Sequence, residues 1–169
     1  PYGTWPATAL AERLVGLVTR LSARHHFDAV VVACNTASTT ALAALRAAVD
    51  VPVVGVVPAI KPAGEQSQSR VIGLLATPTT VDTPYVRDLI DRYAADCRVI
   101  RVGPRDLAHL AESHCRGEAI DTDRLIAILA PLFGIDAPPV DTVVLGCTHY
   151  PLLLDRLQPL APAHVRWLE

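Results

Sequence analysis

Two short stretches of the chain place a cysteine where parallel α/β proteins build ligand sites. Val31-Val32-Ala33-Cys34-Asn35-Thr36 and Val144-Leu145-Gly146-Cys147-Thr148-His149 share one order: two apolar residues, a small one, cysteine, then hydrogen-bonding residues. Each ends an apolar run that reads as a strand and leads into a helical pattern. In open α/β sheets ligands bind outside the carboxyl ends of the strands. The small neighbours Ala33 and Gly146 let backbone approach a ligand. The helix N-terminus that follows supplies free N–H groups and positive potential, which favour a thiolate and hold carboxylates. A cysteine after a valine run is usually inert packing, and Cys97 and Cys115 fit that reading. Cys34 and Cys147 differ because both sit in the same kind of turn with polar company.

Two thiols facing one cavity suit three chemistries. A nucleophilic cysteine with a histidine, Cys147 with His149, would serve acyl transfer. A redox pair would require the sulfurs within bonding distance. A two-base proton transfer would set one thiol on each face of a substrate carbon, one removing a proton as thiolate and the other returning one as thiol. Inverting a carbon needs access to both faces, and paired half-sites provide it. Lysine occurs once, at Lys61, against fourteen arginines, so Schiff-base chemistry has a single candidate. No C-x-x-C or zinc-finger spacing exists, so no metal site is expected.

The elements that must position these residues alternate along the chain. Helical spacing of Leu10, Leu14, Leu17 and Leu21 predicts a helix over 6–25, with Thr4 as a cap. Residues 27–33 and 51–57 predict strands buried on both faces, with a helix over 38–49 between them. The polar stretch 61–69 is the expected crossing between domains. Strands are predicted at 70–75, 97–102, 141–145 and 165–168. Helices are predicted at 79–93, 107–115, 121–133 and 152–160. Strands alternating with helices predict an α/β fold of parallel sheets with helices on both faces.

Composition narrows the class. Of 169 residues, 51% are apolar and 19% charged, with a mean hydropathy of +0.32, which is a globular composition. The net charge of −2 recruits neither nucleic acid nor an anionic membrane. No apolar run approaches the roughly 20 residues of a membrane span, and a cytoplasmic location is expected.

Five stretches, in order, resemble the glutamate racemases of the cofactor-independent aspartate/glutamate racemase superfamily. They are Pro1-Tyr2-Gly3, the segment from Ala33 to Ser38, the segment from Val54 to Ala63, Leu110-Ala111-Glu112-Ser113, and Leu145-Gly146-Cys147-Thr148-His149-Tyr150-Pro151. The resemblance implies Cys34 and Cys147 as paired acid/base thiols, with His149 and Glu112 assisting the Cys147 side. It implies Tyr2, Gly3, Asn35, Thr36, Thr148 and His149 as contacts to the amino acid, no cofactor and no metal. Thr77 and Thr79 read either as further lining residues or as a helix cap. The implied activity is interconversion of L- and D-glutamate for peptidoglycan synthesis, with a homodimer as the candidate assembly.

The chain also departs from the family, lacking the aspartate-serine-glycine turn that opens it and the elements that close it. The expectation is therefore a pseudo-symmetric pair of domains, an incomplete first one at 1–57 and a second at 58–169. The site would lie between them, and residues 1–169 alone would not racemise glutamate. The alternatives are an aspartate or hydantoin racemase, or an inactive domain that binds a carboxylate or a partner protein, as some glutamate racemases bind DNA gyrase.

Overall fold

A computed structural model describes residues 2–169. Ala and Leu at helical spacing form α1 (Ala7–Ser22), whose N-cap is Pro6 with no side-chain cap bond, rather than the expected Thr4. The valine runs form β1 (Val30–Val32) and β2 (Val53–Gly55), which pair in parallel, Val30 opposite Val53 and Val32 opposite Gly55. Between them lies α2 (Asn35–Ala48). It starts three residues earlier than its alanine pattern suggested, because Asn35, Thr36 and Ala37 already complete its first turn.

Val18, Ala41, Leu45 and Val53 form the core where α1 and α2 cover this small sheet. The other face is bare among the described residues: Val31 is 66% exposed and Val54 52%. The expectation that 27–33 and 51–57 are buried on both faces is corrected here. Both strands shorten to three residues, and side chains alternate between a covered and an uncovered face.

The second sheet behaves as its sequence reads. Its strands β3 (Val71–Ala76), β4 (Arg98–Val102), β5 (Thr142–Gly146) and β6 (Arg166–Leu168) are all parallel, in the order β4-β3-β5-β6. Every residue of β3 and β5 is buried. Val71 and Leu75 face one apolar cluster with α6 (Leu107–Cys115) and α7 (Thr122–Phe133). Ile72, Leu74 and Ala76 face the other, with α3 (Ile60–Gln66) and α5 (Pro84–Tyr93). Period-2 alternation between two covered faces is what a continuous apolar run requires.

Four other expectations change. The polar stretch 61–69 is mostly α3, with Ile60, Ala63 and Gly64 buried and the polar residues on its outer side. The helix expected over 79–93 is two, α4 (Pro78–Val81) and α5, because Pro84 starts a new helix capped by Thr83, whose hydroxyl accepts from the Val86 N–H at 3.2 Å. Cys115, expected as packing, is exposed at the end of α6. The segment 152–160 is a short α8 (Leu154–Leu157) between 3₁₀ turns.

Asp141 fastens the entry to β5. Burial alone would raise its carboxyl. Hydrogen bonds from the Ser69 and Gln68 N–H groups and the Ser67 hydroxyl, each at 2.7 Å, and from Thr142 at 3.0 Å outweigh that and hold it at about 2. A depressed carboxyl stabilises the fold above its unfolded value near 4 and loses that contribution as pH falls toward 2. Asp141→Asn should therefore lower stability by about 2 kcal/mol at neutral pH. In thermal unfolding from pH 7 to 2.5, the gap to wild type should narrow only below about pH 4; a gap independent of pH would contradict this account.

Candidate active site

Cys34 is the last extended residue before α2, with φ −144° and ψ 121°, so its side chain stands at the helix's free N–H groups. Ser38 fixes this turn. Its hydroxyl donates to the Val32 carbonyl at 3.0 Å and accepts from the Val56 N–H at 3.1 Å, tying the carboxyl ends of β1 and β2 together. Asn35 and Thr36 are buried behind Cys34. The Thr36 hydroxyl lies 2.9 Å from that of Thr77 and 3.0 Å from that of Thr80, which are themselves 2.9 Å apart. This closed ring of hydroxyls joins the start of α2 to α4.

Cys147 follows β5 at the point where the second sheet changes direction. The chain steps from β3 outward to β4 and then returns past β3 to β5, so the crevice between β3 and β5 is the topological switch point. Gly146 sits against β3 there; a Cβ on it would come within 2.7 Å of the Ala76 Cβ. Cys147 is 7% exposed. Burial pushes its thiol up, and the charge of a Cys34 thiolate pushes the same way, while the N–H groups of His149 and Tyr150 pull it down. The net direction is upward, toward a neutral thiol.

Behind Cys147 a polar chain runs outward. Its Sγ lies 3.8 Å from His149 Nδ1, and His149 Nε2 lies 3.1 Å from Glu112 Oε1 on α6. Glu112 and His149 are 37 residues apart in sequence, and the close packing of α6 on the 3₁₀ turn Tyr150–Leu153 brings them together. Tyr150 is fully buried with its hydroxyl unpartnered, and burial pushes that phenol up as well.

A cleft of about 340 Å³, open to solvent, separates the two cysteine turns. Asn35, Val56 and Val57 line it from one side, and Leu145, Cys147, Thr148, Pro151 and Glu169 from the other. The Asn35 Oδ1 is buried without a partner, an acceptor left for something else to satisfy. Among the residues expected from sequence, Asn35, Cys147 and Thr148 line the cleft directly. Cys34 adjoins it through Asn35, and Thr36 sits behind it in the hydroxyl ring. His149 and Glu112 support Cys147 from outside. Tyr2 does not reach it; its ring is half-exposed, edge-on to Trp5 at 5.7 Å, while Gly3 is buried against Thr77. Among the described residues, no group of three or more His, Cys, Asp or Glu side chains converges as a metal site would require.

Residues 3–167 match the Asp/Glu/Hydantoin racemase family. The chain belongs to that family. The curated glutamate racemase of Proteus mirabilis is 48% identical over 170 residues, and that of Pectobacterium atrosepticum 47% over 169. Each match takes in all of this chain and 59% of the relative, so the chain spans under two thirds of their length. The crystal structure of Escherichia coli glutamate racemase in complex with L-glutamate and the activator UDP-MurNAc-Ala is 45% identical. It superposes with a TM-score of 0.90 over 99% of this chain and 63% of that one. Isoform RacE1 from Bacillus anthracis is 28% identical, with a TM-score of 0.80.

Two residues of this racemase-family site escaped the sequence reading. Thr80 completes the hydroxyl ring, and Ser38 clamps both strand ends. Helical spacing held a signal for Thr80, since Thr77 and Thr80 at i, i+3 share a helix face. Ser38 closes the Ala33–Ser38 stretch, but spacing gives no sign of its role, because the backbone groups that it bonds belong to two different strands.

Proposed function

We infer that this chain carries the two-cysteine centre of a cofactor-independent glutamate racemase. One observation carries the reading: two matching strand-to-helix turns border one cleft, Asn35 beside Cys34 lining it on one side and Cys147, a buried thiol, on the other. In one direction the Cys34 sulfur, as thiolate, takes the α-proton, and the Cys147 thiol delivers a proton to the opposite face. In the reverse direction the roles exchange. A carbanion-like state without an electron sink needs a stabilised α-carboxylate. The N–H groups at the start of α2 and the hydroxyl of Thr148 suit the carboxylates, and the open Asn35 Oδ1 suits the ammonium. His149, oriented by Glu112, assists proton movement at Cys147.

The relatives' names favour glutamate as substrate, and with it a cytoplasmic supply of D-glutamate for peptidoglycan. A division into domains at 1–57 and 58–169, with the cleft between them, fits the two sheets, and a homodimer is the assembly to test. No helix among the described residues is long and apolar enough to cross a membrane.

The test is a chiral assay of the whole protein that contains these residues, offered L-glutamate, L-aspartate and a 5-substituted hydantoin separately, without added pyridoxal phosphate. D-Glutamate should form at least about a hundredfold faster than D-aspartate, because an added methylene must span two fixed carboxylate sites with buried polar groups. Preferred turnover of aspartate or hydantoin would move the protein elsewhere in the family. No turnover of any of the three would leave a binding role.

A further inference from the structure

The three-residue turn Tyr2–Thr4 joins no sheet and packs on α2 and α4. One side-chain hydrogen bond holds it there. The Thr79 hydroxyl donates to the Gly3 carbonyl at 2.9 Å and lies 3.4 Å from the Trp5 carbonyl, joining positions 76 and 74 residues apart. A hydroxyl has one proton, so the shorter contact is the bond and the longer one its fallback. Among the described residues no other side-chain hydrogen bond reaches the turn. Beneath it Gly3 is buried, and a Cβ there would lie 2.7 Å from the Thr77 Cβ. Thr77 belongs to the hydroxyl ring with Thr36, so the turn rests on the wall of the site while Thr79 grips it from the outer side.

We propose that Thr79 is a positioning residue: its hydroxyl latches the Tyr2–Thr4 turn onto α4 before any ligand arrives, so that substrate meets a turn already ordered. This rests on the proposed amino-acid site, which the turn borders through Gly3 on Thr77 and the hydroxyl ring rather than through the Tyr2 ring. Without the latch the ligand itself must order the turn, and the conformational cost falls on binding rather than on the proton transfers. Thr79 touches neither cysteine, and its loss leaves the hydroxyl ring of Thr36, Thr77 and Thr80 intact.

Trp5 reports on the latch. Its ring packs edge-on against Tyr2 at 5.7 Å, with the Arg13 guanidinium over its face, also at 5.7 Å. The chain has two tryptophans, so Trp167→Phe leaves Trp5 as the single probe. In that background Thr79→Val should lower Trp5 fluorescence anisotropy and raise its quenching by acrylamide. It should weaken glutamate binding by calorimetry about fivefold, the scale of one lost hydrogen bond, with an unchanged unfolding midpoint. Thr79→Ser should restore both. An unchanged Trp5 signal in Thr79→Val overturns the latch. A loosened Trp5 with unaltered glutamate affinity overturns its link to the site. Absence of glutamate binding by the unsubstituted chain would count against the functional reading, and the latch would then stand or fall on the Trp5 signal.

Discussion

Replacing either Cys34 or Cys147 with alanine in the whole protein should stop racemisation of glutamate, with a loss of about a thousandfold or more in turnover. The size follows from the chemistry. Proton transfer by a positioned group contributes on the order of 10² to 10⁴ in rate, and removing one thiol leaves one face of the substrate with no proton carrier. The structure makes the pair of variants more informative than either alone. Cys147, His149 and Glu112 form a chain at 3.8 Å and 3.1 Å that also suits a nucleophilic cysteine with its base and orienting carboxylate. A nucleophile mechanism would lose activity in Cys147→Ala and keep it in Cys34→Ala. The two-base mechanism loses it in both. Truncating the buried Cys147 leaves only a small hollow, about 1 kcal/mol in stability, so both variants should fold. Matching circular dichroism and unfolding midpoints would establish that the loss is chemical.

The second large effect is on stability. Gly64 lies inside α3 where that helix meets the end of α5, and a Cβ on it would overlap the Tyr93 carbonyl oxygen and sit 3.3 Å from the Ala94 Cβ. In an exposed helix Gly→Ala gains about 1 kcal/mol. Here the obstructing atom belongs to backbone and cannot rotate away, so either α3 or α5 must shift against the buried face of β3 and β5. Overpacking of that kind costs about 1–3 kcal/mol and more where backbone is involved, which reverses the sign. Gly64→Ala should lower stability by about 2 kcal/mol or more, read as a lower urea midpoint at constant slope. A variant as stable as wild type would mean that α3 and α5 pack less closely than described.

Much of the fold was legible because period and punctuation agree along the chain. The apolar runs at 70–75 and 141–145 were read as strands, and Val71–Ala76 and Thr142–Gly146 are, buried along their whole length. The same pattern misled at 27–33. A valine run states that a strand can be covered twice, and only the surrounding elements decide whether it is, so Val31 came out exposed. The polar stretch at 61–69 looked like a crossing because its apolar positions, Ile60, Ala63 and Gly64, are few and at helical spacing. At the site, both cysteine turns could be read because each is a local motif. The Glu112–His149 contact could not be derived from spacing, since it depends on how α6 packs against a turn 37 residues away; family resemblance alone placed it. The hydroxyl ring was half visible, with Thr36 and Thr77 singled out and Thr80 missed. Three oxygens from α2 and α4 meet only once the two sheets are in place.

The central claim is that two thiols work on opposite faces of one α-carbon, and the fate of the α-proton tests it most directly. The whole protein, incubated with protiated L-glutamate in deuterium oxide, would be sampled at less than about a tenth of full conversion, the enantiomers separated, and each examined by mass spectrometry and proton NMR. A thiolate on one face and a solvent-equilibrated thiol on the other predict that nearly every D-glutamate formed carries deuterium at Cα, while the remaining L-glutamate keeps its proton. D-Glutamate that retains the original proton would show one base serving both faces and would contradict the assignment of Cys34 and Cys147.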